Sequence, residues 1–288
     1  MRTSEQFRNM IKASGVIQIP GCYDCITATI VERAGFPAAY LTGSGISLTL
    51  SGIPDLNTIS YLELRQVVQN IRSAIQIPML VDIDTGFGAP LNLYRLTKEF
   101  EQLDIAAVQI EDQKVPKKCG HELGRRLVRD EEMVKRIRTI HENRLENGLV
   151  IVARTDARTV VGLDEAIRRG RLYLDAGADV IFVESPESYE EVKKIASEIK
   201  GPVLFNNVEG GRSPFLSRQE LEEAGVKMTI YPNAKTRVVA KKCMELLNTL
   251  QQTGTTAGME NEMLSHRELW SMFNSEKWVA IEKKYMPD

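Results

Sequence analysis

Three acidic residues stand at the ends of apolar runs: Asp82 and Asp84 within VDIDTG, and Glu111 at the end of AVQIE. A carboxylate in such a place is costly to bury unless it is paired or binds a metal. Two positions apart on a strand, Asp82 and Asp84 would share one face. With Glu111 beside them, three acids would repel one another without a cation. A few carboxylate oxygens completed by water suit Mg²⁺, with Mn²⁺ as the substitute. The plainer alternative is that individual acids cap helices or pair with Arg154.

A second cluster follows: Lys117, Lys118, Cys119, Gly120 and His121. A thiol beside two lysines and a histidine has its pKa lowered. Such a thiol can give or take a proton near neutral pH, worth on the order of 10²–10⁴ in rate. The plainer alternative here is an incidental surface cysteine.

Something must bring these residues together. Short apolar runs rich in β-branched residues recur at Val16–Pro20, Ala38–Leu41, Met79–Ile83, Ala107–Ile110, Leu149–Ala153, Val180–Val183, Val203–Phe205 and Met228–Tyr231. Helix-spaced segments separate them. In Tyr61–Ala74, Leu62, Val67, Val68 and Ile71 make a buried stripe, and the stretch from Leu163 stops at Ala176-Gly177. Ala-Gly precedes a strand again at Ala34-Gly35 and Ala224-Gly225. Eight such units in about 230 residues predict a closed (β/α)₈ barrel, an α/β fold that places active sites at the C-terminal ends of its strands. The polar residues after the runs lie there: Thr42-Gly43-Ser44-Gly45, Asp82 to Gly86, Glu111-Asp112, Arg154-Thr155-Asp156, Glu184 and Asn206-Asn207. Residues 1–250 are expected to form the barrel domain. A flexible break at Gln251–Gly258 then leads to a C-terminal helical arm within 251–288.

Composition narrows the function. With 37 Lys+Arg against 39 Asp+Glu, the net charge of −2 carries no basic stripe for nucleic acid. The N-terminus has no signal-like apolar core and no run is long enough to span a membrane. With four cysteines in 288 residues, the expectation is a cytoplasmic protein that folds without disulfides. Cys22 and Cys25 form a C-x-x-C without a second such pair, weak as a redox or zinc motif; Cys243, His141 and His266 read as packing or surface residues, and Gly210-Gly211 is weak as a phosphate loop. Trp270 and Trp278, eight apart, would face one partner surface.

The segments PGCYD, YLTGSG, GIPDL, VDIDTGFG, IEDQKVPKKCGH, VARTDA, FVESP and NNVEGGRSP cover nearly the whole chain. Together they resemble the isocitrate lyase/phosphoenolpyruvate mutase superfamily, and within it the cysteine-bearing branch of short lyases acting on 2-methylisocitrate and 2,3-dimethylmalate. The resemblance implies a metal held through Asp82, with Asp84 and Glu111 reaching it mainly through waters. It implies that Thr42, Gly43 and Ser44 grip a carboxylate, with Asp55 and Gly120 nearby. Cys119 would be the general acid, tuned by Lys117 and His121; Arg154 and Glu184 would line the cavity, with Asn206 and Arg237 as substrate contacts. The implied reaction removes the 2-hydroxyl proton of a malate-type acid, with Tyr40 one candidate base. It then breaks C2–C3 to release pyruvate, and Cys119 protonates the other fragment. The resemblance also implies a homotetramer with exchanged C-terminal helices.

A tricarboxylate substrate would need extra cations, and Glu122 beside the cysteine cluster, though followed by Arg125 and Arg126, favours a 2-alkylmalate. An oxaloacetate decarboxylase or phosphonopyruvate-type enzyme on the same barrel would not need Cys119. A non-catalytic metabolite-binding protein is the third reading.

Overall fold

A computed structural model describes residues 1–120, 122 and 124–286. They form two compact units, Met1–Lys235 and Thr236–Asp288.

The first unit is the expected barrel. Eight parallel strands close on themselves in sequence order: β1 (Ile17–Cys22), β2 (Ala39–Leu41), β3 (Met79–Asp82), β4 (Ala107–Glu111), β5 (Val150–Thr155), β6 (Val180–Val183), β7 (Val203–Asn206) and β8 (Met228–Tyr231). The seam is paired like any other edge, Ile17 opposite Met228 and Ile19 opposite Ile230. All eight expected runs are strands, with ends displaced by a residue or two.

Strand alternation sorts side chains into two layers. Leu41, Val81, Val108, Ile110, Ile151, Ala153, Ile181 and Val183 pack outward against the helices. Tyr40, Leu80, Ala107, Val150, Val152, Phe182, Leu204, Met228 and Ile230 fill the barrel interior. Continuing the inward series toward the C-terminal ends gives Asp82, Gln109 and then Glu111, Arg154, Glu184 and Asn206, all buried. The apolar fill thus forms the floor of a polar layer.

Helices α1 (Thr3–Lys12), α2 (Cys25–Arg33), α3 (Gly43–Ile46), α4 (Tyr61–Ala74), α5 (Pro90–Gln102), α6 (Asp130–Asn143), α7 (Ala157–Val160), α8 (Leu163–Asp175), α9 (Tyr189–Glu198) and α10 (Arg218–Glu223) complete this unit. The sequence reading placed no element where α1 lies. Its Phe7 is fully buried against the interior set, and its polar side chains grip the loops that precede β4, β5 and β6. Thr3 Oγ1 donates to Asp104 O, Ser4 Oγ to Asn147 O, and Arg8 pairs with Asp179 at 2.7 Å. The N-terminal end of the barrel is therefore plugged, and the opposite end carries the open polar layer.

In α4 the buried side chains are Leu64, Val68 and Ile71, while Leu62 is exposed. Leu64 takes the place expected of Leu62, because Leu64, Val68 and Ile71 share one face at three- and four-residue spacing and Leu62 does not.

In the second unit, α11 (Ala234–Thr253) enters from the first, so the expected division at 250/251 falls within this helix. Gln251 to Thr253 are helical, and the break begins at Gly254, whose φ is 70°. Beyond it come α12 (His266–Met272) and α13 (Ser275–Tyr285). Asn274, with φ 54°, separates them, so Trp270 and Trp278 lie on different helices and their eight-residue spacing defines no common face. Among the described residues no helix is long and apolar enough to cross a membrane.

The Ala-Gly punctuation is borne out. α2, α8 and α10 each stop at an alanine followed by glycine in the left-handed region, φ 80° at Gly35, 106° at Gly177 and 83° at Gly225. A Cβ at Gly35 meets nothing, whereas one at Gly177 runs into the His141 ring. Gly177→Ala should therefore cost about 2–3 kcal/mol and Gly35→Ala about 1 kcal/mol. Urea unfolding midpoints would check this; equal costs would mean that the ring yields freely.

Candidate active site

β3 ends at Asp82, and the chain turns immediately. Asp84 takes φ 49°, a conformation aspartate tolerates better than most residues. The two acids therefore do not share a face by strand alternation, as the sequence spacing suggested. A turn brings them together: the Asp84 N–H donates to Asp82 Oδ1 at 3.0 Å. The Asp84 carbonyl accepts the Glu111 N–H at 2.9 Å, which locks the β3 turn to the end of β4. Tyr40 donates to Asp82 Oδ2 at 3.1 Å, and Asn57 Nδ2 to Asp84 Oδ2 at 3.1 Å.

Lys117 sits among these acids. Its ammonium, almost completely buried, lies 2.6 Å from Asp55 Oδ1 and 2.8 Å from Asp84 Oδ1. It thus serves the carboxylates directly, where the sequence had paired it with Cys119. Burial alone would lower its pKa, but Asp84, Glu111, Asp55 and Asp82 outweigh that and hold it well above the usual lysine value. The segment beyond is tied down by Gln113, whose side chain bonds both the N–H and the carbonyl of Lys118. The half-buried Cys119 follows. His121, expected to help tune it, lies outside the described residues.

Arg154, next to last in β5, anchors the other side. It holds Asp156 through Nε (3.1 Å) and Nη2 (2.9 Å), lies 3.5 Å from Glu111 Oε2 and 3.4 Å from Glu184 Oε2, and stacks over Phe182. Glu184 is held by the Ser185 N–H and by Asn206 Nδ2. Ser185 Oγ donates to the Gly120 carbonyl at 3.0 Å. A Cβ at Gly120 would stand 2.5 Å from both Arg154 Nη2 and Glu184 Oε2, so only glycine lets this backbone lie against the ion pair.

A cleft opens between these groups. Tyr40, Thr42, Ser44, Asp55, Asp82, Cys119, Gly120, Arg154, Glu184 and Asn206 line it. Gly43 and Asp84 line an adjoining hollow, which shares Asp55 and Asp82 with the cleft. Glu111 lies behind, within reach of Arg154. Arg237 belongs to the second unit. The structure adds residues the sequence did not single out: Asn57 on Asp84, Gln109 on the Tyr40 hydroxyl, Ser185 on Gly120, and Val208, Ile230, Pro232 and Asn233 in the cleft wall. The inward period of β4 and β6 could have pointed to Gln109 and Phe182. No local signal marks the others, because their partners are distant in sequence.

The acids fit a cation. Both Glu111 carboxylate oxygens are buried without a hydrogen bond, and Asp84 Oδ1 faces Lys117 as an ion pair only. Burial and the neighbouring Asp84 push the Asp82 carboxyl up to about 6; burial also raises Glu111 well above its usual range, against the pull of Arg154. These are the marks of anionic oxygens short of positive charge. Among the described residues no three acidic, thiol or imidazole side chains converge closely enough to enclose an ion unaided. A cation here would share its ligands with water or substrate, as Mg²⁺ commonly does.

A closed (β/α)₈ barrel with an acid-lined cleft and a half-buried thiol at its strand ends is an enzyme scaffold. The family model described as phosphoenolpyruvate phosphomutase matches residues 7–251, and the chain belongs to that family. It is 41% identical over 285 residues to a 2,3-dimethylmalate lyase of Eubacterium barkeri, covering 99% of each chain. It is 39% identical to a 2-methylisocitrate lyase of Halalkalibacterium halodurans, covering 97% of this chain and 92% of that one. A solved 2,3-dimethylmalate lyase, described as a PEP mutase/isocitrate lyase superfamily member, superposes with a TM-score of 0.92 at 30% identity over 99% of this chain and 96% of that one.

Asp82 allows a pH test. Its folded pKa, about 6, lies above the ordinary aspartate value of 3.8, so between these the folded state binds more protons and stability falls as pH rises. In EDTA, Asp82→Asn should gain on wild type by roughly 1–3 kcal/mol between pH 4 and pH 7 in denaturant titrations. Saturating Mg²⁺ should remove that gain. A pH-independent difference would show that the carboxylate is not short of charge.

Proposed function

We propose that this chain is a divalent-cation-dependent carbon–carbon lyase, with Mg²⁺ as the cation and Mn²⁺ as a substitute. It cleaves a 2-alkyl-substituted malate-type acid, 2,3-dimethylmalate ahead of 2-methylisocitrate, to pyruvate and a second carboxylate. The observation that carries the reading is one cleft lined by Asp82, Arg154 and Cys119 together. Metal dependence and a small carboxylate substrate also follow from the superfamily resemblance.

Asp82 would hold the cation, with Asp84 and Glu111 reaching it mainly through waters, and the cation supplies positive charge for the carboxylate and 2-oxygen of the substrate. Thr42, Gly43 and Ser44 grip the carboxylate of the pyruvate half, and Asp55 and Lys117 fix one another beneath it. Arg154 and Asn206 meet the remaining oxygens. Transfer of the 2-hydroxyl proton to water in the cleft turns the O–H electrons into the C2=O bond and breaks C2–C3. The C2–C3 electron pair moves onto the departing fragment, whose C3 takes a proton from the Cys119 thiol. Tyr40 is poorly suited as base: burial and Asp82 hold its pKa well above the usual tyrosine value, and its proton lies between Asp82 and Gln109. It keeps Asp82 in place instead.

The cleft wall favours the smaller substrate. Phe182, Val208, Ile230 and Pro232 offer apolar surface to alkyl groups, and Arg154 is the one cation among the described lining residues. Arg125, the nearby candidate for a third carboxylate, is buried and bonded to Asp156 and Thr159. A homotetramer and a cytoplasmic location belong to the same proposal.

Pyruvate release should be assayed with Mg²⁺ over 2,3-dimethylmalate, 2-methylisocitrate, isocitrate and oxaloacetate, expecting turnover of the first above the rest. Cys119→Ser should lower that turnover by about 10²–10⁴ while Mg²⁺ binding survives. Full activity in the serine variant, with oxaloacetate preferred, would replace the lyase by a decarboxylase.

A further inference from the structure

Arg154 carries five N–H donors, and the structure uses them unevenly. Its contacts with Glu111 and Glu184, at 3.5 and 3.4 Å, are loose ion pairs. Its contacts with Asp156 form a two-point fork at 3.1 and 2.9 Å, the geometry that fixes a guanidinium plane. Asp156 has no exposed surface and is absent from the cleft lining. Its Oδ1 also accepts from Arg125 Nη1 at 2.5 Å, and Arg125 belongs to the segment that carries Cys119. Arg125 is buried and its Nη2 donates to Thr159.

The backbone of Asp156 is fixed from below. Its N–H donates to Asp112 Oδ1 at 2.9 Å, and Asp112 Oδ2 takes bonds from Thr155, Arg169 and Tyr173. Burial opposes the charge of Asp156, yet Arg154 and Arg125 hold its pKa below the usual carboxylate range. It is therefore an anion shared by one cation of the cleft and one cation of the cysteine segment.

We infer that Asp156 is a positioning residue that aims the Arg154 guanidinium into the cleft and, through Arg125, fastens the Cys119 segment to the end of β5. This rests on the lyase reading for its kinetic consequence but not for its geometric one. With Asp156 neutral, Arg154 loses its strongest acceptor and can swing toward Glu111 or Glu184. With Arg125 removed, Arg154 keeps its fork and only the segment is loosened. The two variants should thus differ in kind.

Asp156→Asn should raise KM for the best substrate at least tenfold and lower kcat as well. Arg125→Gln should leave KM within about threefold and lower kcat about tenfold or more. In both, alkylation of Cys119 by iodoacetamide, followed by mass spectrometry of its peptide, should change rate at least fivefold relative to wild type, with Cys243 as internal reference. Arg125→Lys should recover part of the loss in each readout. If either variant only lowers the melting temperature, with KM, kcat and alkylation unchanged in the folded protein, Asp156 is a structural ion-pair residue and the inference is wrong. Should Asp156→Asn fail to fold, Arg125→Gln and Thr159→Val carry the alkylation test. Wild type turning over none of the acids overturns the lyase reading, while the alkylation rates still decide the positioning role.

Discussion

Around the mouth of this barrel, Asp55, Asp82, Asp84, Glu111, Asp156 and Glu184 share the positive charge of Lys117, Arg125 and Arg154. All nine side chains are wholly or largely buried. Removing carboxylates from water costs several kcal/mol each unless charge of the other sign is close by, and these described groups leave the acids in excess. The shortage is local. Asp156 is fully served, with two guanidinium groups, whereas Glu111 has no hydrogen bond to either carboxylate oxygen. The unmet demand falls on Asp82, Asp84 and Glu111, where a divalent cation would relieve it.

The scaffold makes that concentration of charge tolerable. The closed strand order leaves the barrel wall without an open edge, and the two-residue period sends mostly apolar side chains inward until the strand ends. At the ends of β3 to β7 the same inward positions become acid, arginine or amide. One geometric rule therefore builds both the core and the site. The β3 turn departs from it: Asp84 joins Asp82 through a left-handed residue, a backbone bond and the Asn57 amide.

The barrel was readable in the sequence because parallel strands buried on both faces are short, nearly continuous apolar runs, and because glycine after alanine marks helix ends. Most cleft residues were readable for a related reason: a polar residue at an apolar strand end is conspicuous. What escaped depends on long-range partners. Lys117 stands two residues from Cys119 in sequence but bonds Asp55 and Asp84, well upstream. Ser185 and Gln109 look like ordinary polar residues until the fold sets them against Gly120 and Tyr40. Leu62 and the Trp270–Trp278 pair failed differently. Leu62 is off the three- and four-residue spacing of Leu64, Val68 and Ile71, whereas Asn274 separates the helices of the two tryptophans, so their periodicity was counted across a boundary.

The central claim is that the three acids are arranged to share one divalent cation. Anomalous diffraction from crystals soaked in Mn²⁺ tests it most directly. The account predicts one strong peak per chain within bonding distance of Asp82, with Asp84 and Glu111 around it. A map with peaks only at surface carboxylates, at Mn²⁺ concentrations that support turnover, would contradict it.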